Sequence, residues 1–470
     1  MAISLFKDTQ AALPFWVMTL YLLLLAFMGG GARSDIQSLV ILRPVSAAVL
    51  GYALWGMTWE QVRPFRFLVF FAIALAVLVM LHLIPLPPAI WMLLPGRELV
   101  TEVDRAAELG VVWRPISMVP SQTWNALYSL IVPFAVLAMM LRLTREQRFK
   151  LILVIILIGL FSGFVGLLQV ISTRDGSLYF YKITNFGAAV GLFANRNHQA
   201  IMLACLFPII TVYASTGLQT MDQFRLRAAL AGGAALFLIP LLLVTGSRTG
   251  LIIGLLGLLV SALLYRHPQF SRSPKRKIRR FNLGYLLAGA AALGIAALTV
   301  IMSRAESFDR LLADDGTEDL RFALWPLVLE LAGKYFPIGS GIGTFVEAYQ
   351  IDEPLQLLDQ SYVNHAHNDW LEILMTGGAP AAFFVVLAVA IWARFSYFLL
   401  VSRNEGQRDI VLAKLGALII FMLALASLSD YPLRVPSLAS IFVIAAVWMA
   451  SGGLSSRAIK GASKNKGGMD

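Results

Sequence analysis

The sequence predicts an all-α polytopic membrane protein of about twelve helices, and three observations carry that reading. Only 14% of the 470 residues are charged while 58% are hydrophobic, with a mean hydropathy of +0.75. A soluble domain would carry roughly 25% charged residues. Apolar stretches of the length a membrane helix needs, about 20 residues, recur along nearly the whole chain. The connections between them alternate in charge.

The first stretch, 12–30, follows MAISLFKDTQ with no A-x-A-like cleavage site, so it reads as a retained helix and not a signal peptide. Next come 36–57 and 67–86. Beyond a connection at 87–123 lie 124–142 and 151–172. A connection at 173–197 leads to 198–216, 228–246 and 249–265, the last two joined by a tight turn. A basic segment precedes 282–302. The longest connection, 303–378, leads to 379–401, 412–429 and 436–451. The expected organisation is therefore transmembrane helices one to nine over 1–302, an outer loop over 303–378, helices ten to twelve over 379–451, and a basic cytoplasmic tail over 452–470.

Sidedness follows from the positive-inside rule. With the N-terminus inside, the inner connections carry Arg63 and Arg66, then Arg142, Arg145, Arg148 and Lys150, then Arg225 and Arg227, then the run from Arg272 to Arg280, then Arg403 and Arg408. Twelve crossings return the C-terminus to the same side. The net charge of +11 thus follows topology. The run 272–280 reads as a determinant lying against anionic headgroups and not as a nucleic-acid patch. The outer loop 303–378 is acidic and interleaved with Trp325, Tyr335, Phe345, Tyr362 and Trp370, which suggests a small, partly helical element. The single cysteine, Cys205, sits in an apolar run and reads as a small buried side chain.

Once spans are set, the polar residues sort to the outer side. Arg196 lies in GLFANRNHQA where an outer connection meets a helix. Arg248 lies in the turn VTGSRTG. His365 and His367 lie in NHAHNDWLEILMTGG. Asp430 and Arg434 lie in SDYPLRVP. Arginine near a bilayer is costly and usually paired or functional, and a guanidinium fork fits phosphate oxygens. The plain alternative is that Arg196 and Arg248 snorkel to the interface or cap helix ends.

His365 and His367, two residues apart, point to different faces of a helix. In an extended entry to a helix they could face one way beside Asp369, as a metal site would require. The segment also suits a helix start capped by Asn368 or Asp369, with a neutral imidazole suited to accept a hydroxyl proton. His198 could orient a substrate or hydrogen-bond a helix end, His82 reads as interfacial, and His267 as inner. Arg321 is one of few basic residues in the acidic loop. Gly339 to Gly343 lacks the strand a dinucleotide loop needs and reads as a flexible loop over a substrate or a turn. Gly163 and Gly166 read as helix-packing glycines.

FANRNHQA at 193–200, the His367-Asn368 pair followed after nine residues by Gly378, the GSRTG turn at 246–250, the large outer loop and the helix count together resemble the O-antigen ligase and O-antigen polymerase superfamily. The resemblance covers about helix five to helix eleven. It implies a GT-C-type glycosyltransferase that takes a glycan from undecaprenyl pyrophosphate at the periplasmic face of the bacterial inner membrane. The glycan passes to a sugar hydroxyl, such as lipid A-core, without nucleotide sugar, metal or other cofactor, and with inversion expected. Carried over, Arg196 and Arg248 bind the pyrophosphate and His367 activates or orients the acceptor hydroxyl. His198, His365, Asn368, Asp369, Arg321, Asp430 and Arg434 are candidate supports, the last two without an equally firm counterpart in the pattern. The resemblance does not separate ligase, polymerase and protein O-glycosyltransferase. A twelve-helix transporter or flippase is the rival from another class. It would place its ionisable groups near the midplane, often with repeat symmetry.

Overall fold

The computed structural model describes residues 2–172, 176–265, 316–358, 362–401 and 408–466, with side chains from 12 to 452 within these ranges except 316–322. The helices are α1 Ala2–Met28, α2 Leu39–Trp55, α3 Arg66–Leu81, α4 Glu98–Ala106, α5 Pro120–Ser129, α6 Ile131–Arg142, α7 Arg145–Ile171 and α8 Arg196–Ser215. They continue with α9 Met221–Val244, α10 Arg248–Leu264, α11 Gly316–Lys334, α12 Phe345–Gln350, α13 Asp369–Val401, α14 Arg408–Ala426 and α15 Pro436–Lys466. The strands β1 (Pro85–Leu86) and β2 (Arg114–Pro115) pair antiparallel, with Pro85 opposite Pro115. Among the described residues, seven helical segments have the length and apolarity to cross a membrane, and four shorter apolar helices accompany them. Together they account for every predicted stretch except 282–302, which lies outside the described residues.

The connections separate onto two ends. At one end the basic turns meet. Arg142 Nη1 donates to Tyr52 O at 2.7 Å, Arg145 pairs with Asp409 at 3.0 Å, and the Arg408 guanidinium lies 5.5 Å from the Phe149 ring. The starts of α8, α10 and α13 share the other end, the site end. α8 is the central helix. From Asn197 to Ile210 it is buried throughout, which a helix apolar on all sides requires. Cys205 is buried within it. A Cβ at Gly163 would come 2.8 Å from a Leu241 methyl and one at Gly166 3.4 Å from the Ala189 Cβ, so both positions serve close packing. Exposed apolar residues such as Trp16, Phe70, Ile252, Leu255, Phe383 and Val386 form the belt that a bilayer would cover.

The long connections at the site end are folded against each other. A second apolar cluster joins Leu324, Val328 and Tyr335 of the α11 region to Phe345, Tyr349 and Met375. The segment 339–343 is its rivet. Met118 N–H donates to Ser340 O at 2.9 Å, Arg97 Nη2 to Gly339 O at 3.0 Å, and Thr123 Oγ1 to Ile342 O at 2.7 Å. A Cβ at Gly341, where φ is +119°, would lie 2.6 Å from Ser117 Cα. The glycines thus serve close approach, and this segment is no flexible loop. His82 is buried here and not at the lipid interface. Burial, with the Arg97 charge, pulls its imidazole down to about 4, and the neutral Nδ1 accepts from Ile342 N–H at 3.3 Å.

The helix expected at 379–401 starts earlier, at Asp369, and breaks at Gly378 (φ 60°, ψ −154°). The polar turns of 369–377 kept hydropathy from including them. The break frees the carbonyls of Met375 and Thr376, which accept from Ser340 N–H at 3.1 Å and Gly341 N–H at 2.8 Å. A Cβ at Gly378 would lie 2.2 Å from Pro337 O, in a backbone region essentially reserved for glycine. Gly378→Ala should therefore destabilise the protein by about 1–3 kcal/mol from backbone strain, with the clash added. Gly232→Ala, where a Cβ would meet nothing within 4 Å, should not destabilise it. Thermal melting of both variants in detergent is the check, and a Gly378→Ala midpoint equal to wild type would contradict it.

Candidate functional site

The helices α8, α10 and α13 begin at the site end, and each carries a residue singled out from the sequence. Before α8, Asn195 is extended (φ −134°, ψ 133°) and its side chain accepts from Asn197 N–H at 2.8 Å. This cap places Arg196 in the first turn. Before α10, the Ser247 hydroxyl accepts from Gly250 N–H at 2.9 Å and places Arg248. Before α13, Asn368 Oδ1 accepts from Trp370 N–H at 3.1 Å and Leu371 N–H at 3.2 Å, so Asn368 and not Asp369 is the cap. Both arginines are half-buried. Helix N-termini carry partial positive charge, which favours anions, although here the Arg196 amide donates to Asn185 Oδ1 at 3.0 Å.

The segment 427–434, between α14 and α15, gathers these starts. Ser427 O accepts from Asp369 N–H at 3.0 Å. The Ser429 and Thr249 hydroxyls are 2.9 Å apart, which holds the start of α10, one residue from Arg248. Asp430 Oδ1 lies 3.6 Å from His198 Nε2 and 3.6 Å from His367 Nδ1. The Tyr431 ring centroid is 4.3 Å from that of His365 and 5.0 Å from those of His198 and His367. Arg434 Nε donates to Asp369 Oδ1 at 2.7 Å, and its Nη2 is 3.1 Å from Glu372 Oε1. Glu372 in turn holds His365 Nδ1 at 3.1 Å and accepts from Ala366 N–H at 2.9 Å.

The electrostatics distinguish the parts. Asp430 is fully buried. Burial alone would raise its carboxyl, but His198, and after it His367, outweigh burial and hold it well below the usual carboxylate range. The carboxylate stays ionised and fixes the imidazoles that face it. The half-buried Arg434 pairs with the buried Asp369 and Glu372, and this network shapes the segment 365–372. His367 has φ 49°, an uncommon conformation for a non-glycine residue and one that clusters at functional sites. Its Nδ1 side is turned toward Asp430. An imidazole that faces a buried carboxylate is an arrangement general bases use.

Some expectations change. The His198 side chain is 2% exposed and faces Asp430. Asp369 pairs with Arg434 and does not join His365 and His367. The two histidines address different carboxylates, and no cluster of three metal-ligating residues occurs among the described residues. The Arg321 side chain lies outside the described residues. Tyr431 and Glu372 were not singled out in sequence. The Asp-Tyr-Pro turn and the acidic residue three positions after Asp369 were the signals available.

Residues 233–386 match the family model described as O-antigen ligase. The match covers Arg248, His365, His367, Asn368 and Gly378, and stops short of Arg196 and of the segment 427–434. It bears out the resemblance read from those motifs and supports membership of the O-antigen ligase/polymerase superfamily. No curated protein matches the chain.

Proposed function

From that membership, we propose that the chain is an O-antigen ligase-type glycosyltransferase of GT-C-like fold. It transfers a glycan from an undecaprenyl-pyrophosphate-linked donor to a sugar hydroxyl of a lipid A-core acceptor. The reaction takes place at the periplasmic face of the bacterial inner membrane, with both termini cytoplasmic. The supporting observation is the convergence of three helix starts, two bearing arginines and one preceded by His367, on the segment 427–434.

In this reading Arg196 and Arg248 hold the donor diphosphate, with the partial positive charge of the α8 and α10 starts beside them. The acceptor oxygen attacks the anomeric carbon from the face opposite the diphosphate. The bond from that carbon to the phosphate oxygen breaks, and its electron pair leaves on the oxygen. The acceptor proton passes to the His367 imidazole. Charge grows on the leaving oxygen during the reaction, so fixed guanidinium groups stabilise the transition state more than the ground state. The configuration inverts.

Reconstitution in proteoliposomes with a defined lipid-linked glycan and candidate acceptors is the test. The expected product is core-linked glycan of inverted anomeric configuration, formed equally in EDTA. Elongation of the donor on a second lipid-linked repeat would make the protein a polymerase, and transfer to a polypeptide a protein O-glycosyltransferase. Movement of donor across the bilayer without transfer to any acceptor would refute the enzyme reading.

A further inference from the structure

The turn between α1 and α2 holds an arginine that neither the sequence motifs nor the mechanism above uses. Gly30 is locked to the segment that ends in Arg196. Its carbonyl accepts from Ala194 N–H at 3.0 Å, its N–H donates to the Tyr181 hydroxyl at 2.7 Å, and a Cβ there would lie 2.1 Å from Leu192 O. On the other side, Gly29 O accepts from Ser437 N–H at 3.0 Å, three residues past Arg434. The backbone leading to Arg33 is therefore fixed between two walls of the candidate site. The Arg33 guanidinium stands 5.0 Å from the ring centroid of Tyr362, three residues before His365.

We propose that Arg33 is a third guanidinium of the donor diphosphate site, held ready by Asp35 and by the Tyr362 ring. The proposal rests on the glycosyltransferase reading above. Arg33 makes a two-point pair with Asp35, Nε to Oδ1 at 3.0 Å and Nη2 to Oδ2 at 2.9 Å. That is the planar fork geometry by which arginine also takes phosphate. The Asp35 side chain is 62% exposed, and an exposed pair of this kind contributes little and is readily exchanged. A diphosphate arriving beside Arg196 can replace the carboxylate, while stacking on Tyr362 keeps the fork in place. A plain structural role would instead need the Arg33–Asp35 pair itself.

The two roles separate by kinetics on purified protein with a lipid-linked diphosphate donor. Arg33→Ala should raise the donor KM by about ten- to hundredfold, the loss expected for hydrogen bonds to a charged group. Its kcat should fall much less, because binding shared by ground and transition states acts on KM. Arg33→Lys should recover part of the affinity. Asp35→Asn frees the guanidinium and should leave the donor KM at or below wild type. The proposal is overturned if Arg33→Ala leaves the donor KM unchanged, or if Asp35→Asn raises it as much as Arg33→Ala does. Arg196→Ala measured alongside assigns the failure: full activity there as well would sink the diphosphate reading itself, not the role of Arg33 alone.

Discussion

Replacing His367 with alanine should lower kcat for glycan transfer by about 10²- to 10⁴-fold, the range that a positioned acid–base group supplies, with donor affinity nearly unchanged. The expectation follows from three features of one residue. Its backbone is held at φ 49°, its Nδ1 lies 3.6 Å from a fully buried carboxylate, and its ring packs on Tyr431. Each fixes the imidazole in place, and fixed placement is what a base needs to act without reorganisation. Asp430→Asn should leave the ring in place but remove the charge that stabilises the protonated imidazole, so its defect should lie in kcat as well. Radiolabelled transfer at saturating donor measures both. A His367→Ala protein that inserts, melts like wild type and transfers at full rate would remove this residue from the reaction.

The fold was largely legible because the bilayer imposes length and apolarity on every span, and hydropathy reads both directly. The misses have physical causes. α13 begins at Asp369 because Asn368 caps it and Ser427 receives the first amide, but turns containing Asp369 and Glu372 do not look like a span. Gly339, Gly341 and Gly343 read as a flexible loop or a turn, since glycine composition alone does not distinguish freedom from close approach. The site was legible as a set of polar residues at one expected depth. Which of them meet was not, because Asp430 and His198 join segments more than two hundred residues apart, and a buried carboxylate looks like any other Asp in a turn. Arg33 was invisible for the opposite reason: an arginine beside an aspartate at a membrane edge is the ordinary appearance of an interfacial anchor.

Removing either Arg196 or Arg248 should lower kcat by about 10²- to 10³-fold, the loss typical of one group that stabilises developing negative charge. The two arginines stand in the first turns of neighbouring helices that touch near their starts, where a Cβ at Gly250 would lie 2.2 Å from that of Ala200. The helix starts beside them add fixed partial charge that neither substitution removes. The defect should appear in kcat more than in KM, in contrast to Arg33, because the charge on the leaving oxygen exists only as the bond breaks. Lysine at either position should restore little, since it supplies charge without the two-point fork. If both groups hold one diphosphate, the double variant should lose less than the product of the single losses, because the second removal acts on a donor already misplaced. Single-turnover transfer rates of the two single variants and the double would test this. Full activity in both single variants would mean that these guanidinium groups only anchor helix ends at the membrane edge.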